Sequence, residues 1–192
     1  MRVDVRADIK DATRHLNNVQ KRQLPFAISK SLNDTAFQVQ GVLKAQLGKD
    51  LHQVASFTRS GIQVRKATKS SLEAQVFVEA KRLPYMQYEI KGGVRLPAKS
   101  KLIIPVQQRR NQKDLRTKLL SQKNAFESTT RRGIGGIWTV VGKRRLKLLA
   151  LYANRAQYRP RYKFYEVGEA AAKRIFPITF SQALARALAT AH

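Results

Sequence analysis

The chain has 192 residues, 43% of them hydrophobic and none of them cysteine, with 38 Lys and Arg against 12 Asp and Glu for a net charge of +26. That apolar share is enough for a core, which argues against wholesale disorder, and the lack of cysteine excludes disulfide staples, thiolate metal sites and cysteine nucleophiles. The opening MRVDVRADIKDATRHLNN has no signal-type apolar run, and no window approaches the roughly 18 apolar residues of a spanning helix, so the expectation is a chain made in the cytoplasm with no membrane partner.

Residues 1–50 read as helical. A short helix carries Ile9, Ala12, Leu16 and Val19 on one side. A longer one follows, in which Leu24, Ala27, Ile28, Ser31, Leu32, Thr35, Ala36, Val39, Val42, Leu43, Gln46 and Leu47 recur at intervals of three and four, with Pro25 in its first turn and Gly48 as its stop. Residues 60–106 change period: Ile62 and Val64, then Leu72, Ala74, Val76 and Val78, alternate with polar neighbours as in a β-hairpin. A short helix opened by Pro84 and closed by Gly92-Gly93 comes next, then a strand through Leu102, Ile103 and Ile104 that ends at Pro105.

Residues 107–133 read as a basic loop or weak helix anchored by Leu115, Leu119, Leu120 and Phe126. Residues 134–155 form a second β-hairpin whose turn, Gly142-Lys143-Arg144-Arg145, puts three cations at one tip. Residues 160–190 return to helical period through Phe164, Val167, Ala170, Ala171, Ile175, Ile178, Leu184, Ala187 and Leu188, with Pro177 expected to kink the helix or start a second one. The predicted fold class is therefore α+β in a single domain, 1–192: a long N-terminal helix and a C-terminal helix packed around a small antiparallel β-sheet, with a basic central insertion or loop.

The charge is regional. From Lys91 to Lys163 there are twenty Lys and Arg against only Asp114 and Glu127, a net +18 of the total +26. Such a field calls for a polyanionic partner, or for an assembly whose other subunits neutralise it, because self-repulsion opposes compactness. Candidate contacts with DNA or an acidic partner are Arg109, Arg110, Arg131, Arg132, Lys143, Arg144, Arg145, Arg155, Arg159, Arg161 and Lys163. The tip at Lys143, Arg144 and Arg145 reads either as a duplex phosphate contact or as a solvated turn.

Between Arg155 and Tyr165 the cations interleave with Tyr158, Tyr162, Phe164 and Tyr165. That pattern either binds phosphates and stacks bases, or packs its rings at a seam with the cations outward. The second is favoured beside duplex DNA, which offers no free bases. Gly92-Gly93 and Gly133-Ile134-Gly135-Gly136 lack the residues of a phosphate-cradling loop and read as turns. Trp138 reads as a core anchor. His15, His52 and His192 stand far apart without carboxylate or metal-ligand spacing, and the acidic residues are scattered, so no enzyme, metal or cofactor is expected.

The run Leu24-Pro25-Phe26-Ala27-Ile28-Ser29-Lys30-Ser31-Leu32-Asn33-Asp34-Thr35-Ala36 resembles the opening helix of the minor tail protein Z, or tail completion, family of tailed bacteriophages. Three later features agree in order: Phe57-Thr58-Arg59-Ser60 before the hairpin, Tyr88-Glu89-Ile90-Lys91-Gly92-Gly93-Val94-Arg95 followed by Pro97, and a C-terminal helix with Phe176 and Phe180. The resemblance covers residues 20–105 and 160–190 and leaves out the basic middle. It implies a structural virion protein, assembled in the host cytoplasm, that completes the tail at its head-proximal end and helps join tail to head around the DNA channel. Implied partners are other tail and neck proteins (terminator, tube, head–tail connector), further copies of the chain in a hexameric ring, and genomic double-stranded DNA. In that setting Leu24, Ile28, Leu32, Val39, Leu43, Leu184 and Leu188 are candidate subunit-packing residues. Charge alone supports an alternative, an independent sequence-nonspecific nucleic-acid-binding protein of the ribosome- or nucleoid-associated type.

Overall fold

A computed structural model describes residues 1–6, 18–51, 54–97, 101–107, 114–142 and 145–189. The three-and-four spacing from Leu24 onward builds α1 (Asn18–Asp50), a 33-residue helix about 50 Å long. After it come α2 (Ser56–Ser60), β2 (Ile62–Arg65), β3 (Glu73–Val78) and α3 (Leu83–Lys91), and ahead of it lies a strand, β1 (Arg2–Arg6). Then follow β4 (Gly93–Arg95), β5 (Leu102–Pro105), α4 (Leu115–Leu120), β6 (Ala125–Thr129), β7 (Gly135–Val141), β8 (Arg145–Ala153), β9 (Ala156–Tyr158) and α5 (Phe164–Ala189). The class is α+β, and α1 and α5 pack together. The chain divides into two compact units, one of Met1–Lys91 with Pro160–His192 and one of Gly92–Arg159.

In the first unit the α1 stripe faces α5 and a three-stranded antiparallel sheet of order β1-β3-β2. Leu24, Ile28, Leu32, Val39 and Leu43 are buried there together with Val3, Val5, Ile62, Ala74, Val76, Phe164 and Ile175. These five α1 residues were candidates for packing between subunits. Their apolar surface is instead spent inside one chain, because the sheet and α5 cover the stripe. Leu184 is half-buried against the same core, and Leu188 is 41% exposed.

Polar side chains on α1 hold the frame in register. Asn33 donates its amide to the Ala67 carbonyl at 3.0 Å and accepts the Ala67 N–H at 2.7 Å, tying the β2–β3 loop to the helix. Gln40 donates to the Ile62 carbonyl at 2.7 Å. Thr35 and Thr179 pair their hydroxyls at 2.7 Å in the buried α1–α5 crossing. Arg82, only 9% exposed, donates to Glu79 and to the Phe57 carbonyl and lies 4.0 Å from the Phe57 ring centroid, which fixes α2 beside α3.

Several boundaries differ from the sequence expectation. Residues 2–6 are a strand and not part of a helical segment: Val3 and Val5 alternate with Arg2 and Asp4, and β1 pairs with β3, whose partners Val76 and Ala74 lie some seventy positions away. It also packs closely on α5, where a Cβ on Gly168 would come within 2.9 Å of the Val3 side chain. The predicted helix through Ile9, Ala12 and Leu16 lies outside the described residues. α1 starts at Asn18, so Pro25 is interior, and it runs past Gly48 to Asp50. Burial of Leu47 and contact of Leu51 with the core outweigh the roughly 1 kcal/mol that an exposed helical glycine costs. α5 continues through Pro177 as one helix, with Ile175 and Phe176 before it and Phe180 and Leu184 after it all packed on the core. Gly92 and Gly93 end α3 as expected, at φ +69° and +116°.

The second unit holds a four-stranded antiparallel sheet of order β5-β8-β7-β6 and a two-stranded sheet, β4-β9. Within the stretch predicted as loop or weak helix, α4 is the helix and β6 is a strand that sequence reading missed. On one sheet face Leu115 and Leu119 of α4 cover Ile137 and Ala150, with Ile103, Leu149 and Tyr152 at the margin. Between Ile137 and Trp138 the register slips, pairing Ile137 with Ala150 but Trp138 with Leu148, a bulge that leaves Leu149 extra. Gly136 sits at that kink because any Cβ there would collide with the Ala150 carbonyl. Trp138 is half-buried on the face away from α4 and is not the core anchor expected of it, since Ile137 fills that role.

Candidate functional site

The second unit carries seventeen Lys and Arg against Asp114 and Glu127, a net +15. Glu127 is already engaged. It spans from β6 to α4, where Arg116 donates to it in a fork at 2.6 and 3.0 Å. The Arg116 bond holds its carboxyl below the ordinary range. Beside them the Tyr152 phenol is pushed up to about 12, by burial first and by the neighbouring Glu127 carboxylate second. The cations therefore receive little compensation from within the unit.

Strand register separates those cations into two groups. The β6–β7 turn is tight: Thr130 and Ile134 exchange backbone and hydroxyl bonds at 2.9 and 3.1 Å, and Gly133 takes φ +77°. It exposes Arg131 and Arg132. Because β8 and β5 pair Ala153 with Leu102 at the same end of the sheet, the exposed Arg155 and Lys101 gather there too. The other end carries Lys123 ahead of β6 and Arg145 opposite Val141. The seven residues of β7 put about 20 Å between the two ends. Lys143, Arg144, Arg109 and Arg110 lie outside the described residues.

The interleaved run resolves into a core segment. Tyr162 and Phe164 are buried, with their rings edge to face at 5.8 Å, and the Tyr162 hydroxyl donates to the Leu43 carbonyl at 2.9 Å. Burial, and after it the Asp50 charge, pushes the Tyr162 phenol well above its usual range. Neither ring can stack on a base. Arg161 is held by Glu89 in a fork of two bonds at 2.9 Å, which removes it from the pool of cations open to a partner. Arg155, Arg159 and Lys163 remain exposed.

One feature of this unit was not anticipated from sequence. The sheet face opposite α4 carries a row formed by Phe126, Trp138 and Leu148, a second pair of Val140 with Leu146, and a third of Leu151 with Ile104. The Trp138 indole N–H is satisfied by the Ser128 carbonyl at 3.2 Å, which lays the ring across β6. Alternation of Leu146 and Leu148 with Arg145 and Lys147 was the available signal, but it names two faces without saying which one a helix covers.

His15, His52 and His192 lie outside the described residues. Among the described residues no group of three or more His, Cys, Asp or Glu could hold a metal ion, and no helix is long and apolar enough to cross a membrane. Compared with protein-family models, curated proteins and solved structures, the chain finds no match in any of the three.

Proposed function

We propose that the chain is a structural virion protein of a tailed phage, a tail completion component that joins tail to head around the DNA channel and has no catalytic role. The observation that carries this reading is that most of the stretches bearing the family resemblance, those before Gly92 and after Arg159, are frame-building residues of the first unit, while the charge is concentrated in the second. Within the resemblance, Leu24, Ile28, Leu32 and Ala36 fill the core, Asn33 and Thr35 make its polar ties, Phe57 stacks on Arg82, and Glu89 holds Arg161. Such a frame suits a ring subunit that must hold its shape, and an exposed basic unit suits a place beside phosphates or acidic neighbouring proteins. A six-fold ring matched to the tail tube follows from the same reading.

The net charge of +26 favours a second reading, an independent nonspecific nucleic-acid-binding protein. Deleting the coding region from the phage separates the two. Tail completion requires filled heads beside separate or defective tails in electron micrographs, loss of plaques, and the protein at six copies per wild-type tail. Normal infectious particles from the deletion would refute tail completion; three or twelve copies would refute the ring size.

A further inference from the structure

Among the described residues of this unit, α4 covers one face of the four-stranded sheet and no element covers the other, here called the bare face. On the bare face, Phe126 at 37%, Ile104 at 38% and Leu146 at 61% exposure surround the half-buried Trp138, Leu148 and Leu151, and none of the described positions on that face bears a charge. Four strands about 4.8 Å apart, four to nine residues long at about 3.3 Å per residue, make a surface of about 20 by 20 Å, on the order of 400 Å². Exposed apolar patches of this size on monomers commonly mark interaction sites. We infer that this face docks a protein surface with an apolar centre and an acidic rim.

Area and charge select that occupant. About 400 Å² is half of the roughly 800 Å² that each partner buries in a stable interface, so the occupant must also reach the surface around the face. The strand end at the β6–β7 turn is basic, with Arg131, Arg132 and Arg155 exposed, and Lys123 is exposed at the other end, so a matching rim is acidic. A second copy fits poorly, because it would bring a net +15 against +15 with the sheets about 10 Å apart. Duplex DNA offers phosphate and sugar, which gain nothing from leucine and phenylalanine side chains. Trp138 at the centre is the residue type that most often dominates a protein interface. The inference rests on the face itself and not on the tail reading.

The test uses the full chain and three fluorescent probes: an amphipathic helical peptide of Leu and Glu, its counterpart with Lys in place of Glu, and a short duplex DNA. The wild type is expected to bind the Glu peptide and not the Lys peptide. Phe126→Ser with Leu146→Ser is expected to weaken the Glu peptide at least about tenfold while changing duplex affinity less than about twofold. Circular dichroism and melting verify the fold, and Leu146→Ser alone, at the most exposed of these positions, serves if the double variant melts early. The proposal fails if the wild type does not bind the Glu peptide, or if the variants leave that affinity unchanged, which would reduce the contact to charge. It fails equally if sedimentation finds a wild-type dimer that the variants dissolve, or if phosphatidylserine vesicles and not the peptide show the dependence on Phe126 and Leu146.

Discussion

Replacing Thr35 and Thr179 with valine, singly and together, tests how the α1–α5 crossing is held. Thr179 already donates its hydroxyl hydrogen to its own helix, to the Phe176 carbonyl at 3.0 Å, so the hydrogen in the 2.7 Å hydroxyl pair must come from Thr35. The two single variants are therefore unequal. Thr179→Val strands the Thr35 donor where residue exposure is 0%, at an expected cost of about 2 kcal/mol. Thr35→Val leaves the Thr179 donor satisfied and removes only a bond to its oxygen, at about 1 kcal/mol. The double variant keeps the shape, removes both polar groups and should lie within about 1 kcal/mol of wild type, since valine and threonine have similar helix propensity. The expected coupling is thus about 2 kcal/mol. Urea unfolding followed by circular dichroism at the helix band reads α1 and α5, whereas Trp138 fluorescence reads the other unit. Additive costs, or a larger cost for Thr35→Val than for Thr179→Val, would refute the donor assignment.

Leu43→Ala should cost about 3 kcal/mol in urea unfolding because its side chain is wholly buried, while Leu188→Ala, at 41% exposure, should cost under about 1 kcal/mol; equal small costs would mean that the α1 stripe is not core. Replacing Arg131 and Arg132 with Gln should flatten the salt dependence of duplex binding by up to about 0.9 log unit per lost phosphate contact, uniformly across sequences, and Lys143, Arg144 and Arg145 replaced together should do the same at the other turn. An unchanged slope in either variant would assign that turn to protein or solvent. Because Arg116 depresses the Glu127 carboxyl in the folded state, their stabilising contribution is present above the unfolded value near 4.5 and is lost as pH falls through the lower folded value. A nuclear magnetic resonance titration should place the Glu127 midpoint below 4.5, and Arg116→Gln should raise it; a wild-type midpoint at or above 4.5 would contradict the pairing.

Period and punctuation in the sequence determined most of the elements. A stripe recurring at three and four over Leu24 to Leu47 can bury itself only as a helix. The alternation of Ala74, Val76 and Val78 can do so only as a strand, and glycines at positive φ end α3 wherever the rest of the chain lies. The regional charge was equally legible, because it is a property of composition. Tertiary structure decided what those patterns face. β1 has only Val3 and Val5 to announce it and exists because β3 offers an edge to pair with, while β6, with one large apolar side chain, is held by its ladder to β7. The helical stripe that suited a subunit contact turned inward because α5 and a sheet lie over it. The cations that sequence grouped were parted by the length of β7, and Arg161 was claimed by Glu89 from seventy-two positions away. The bare sheet face depends on all of this at once. Alternation assigns Phe126, Trp138 and Leu146 to one side of their strands, but only the placement of α4 on the opposite side leaves them uncovered, and no local period encodes where a distant helix will pack.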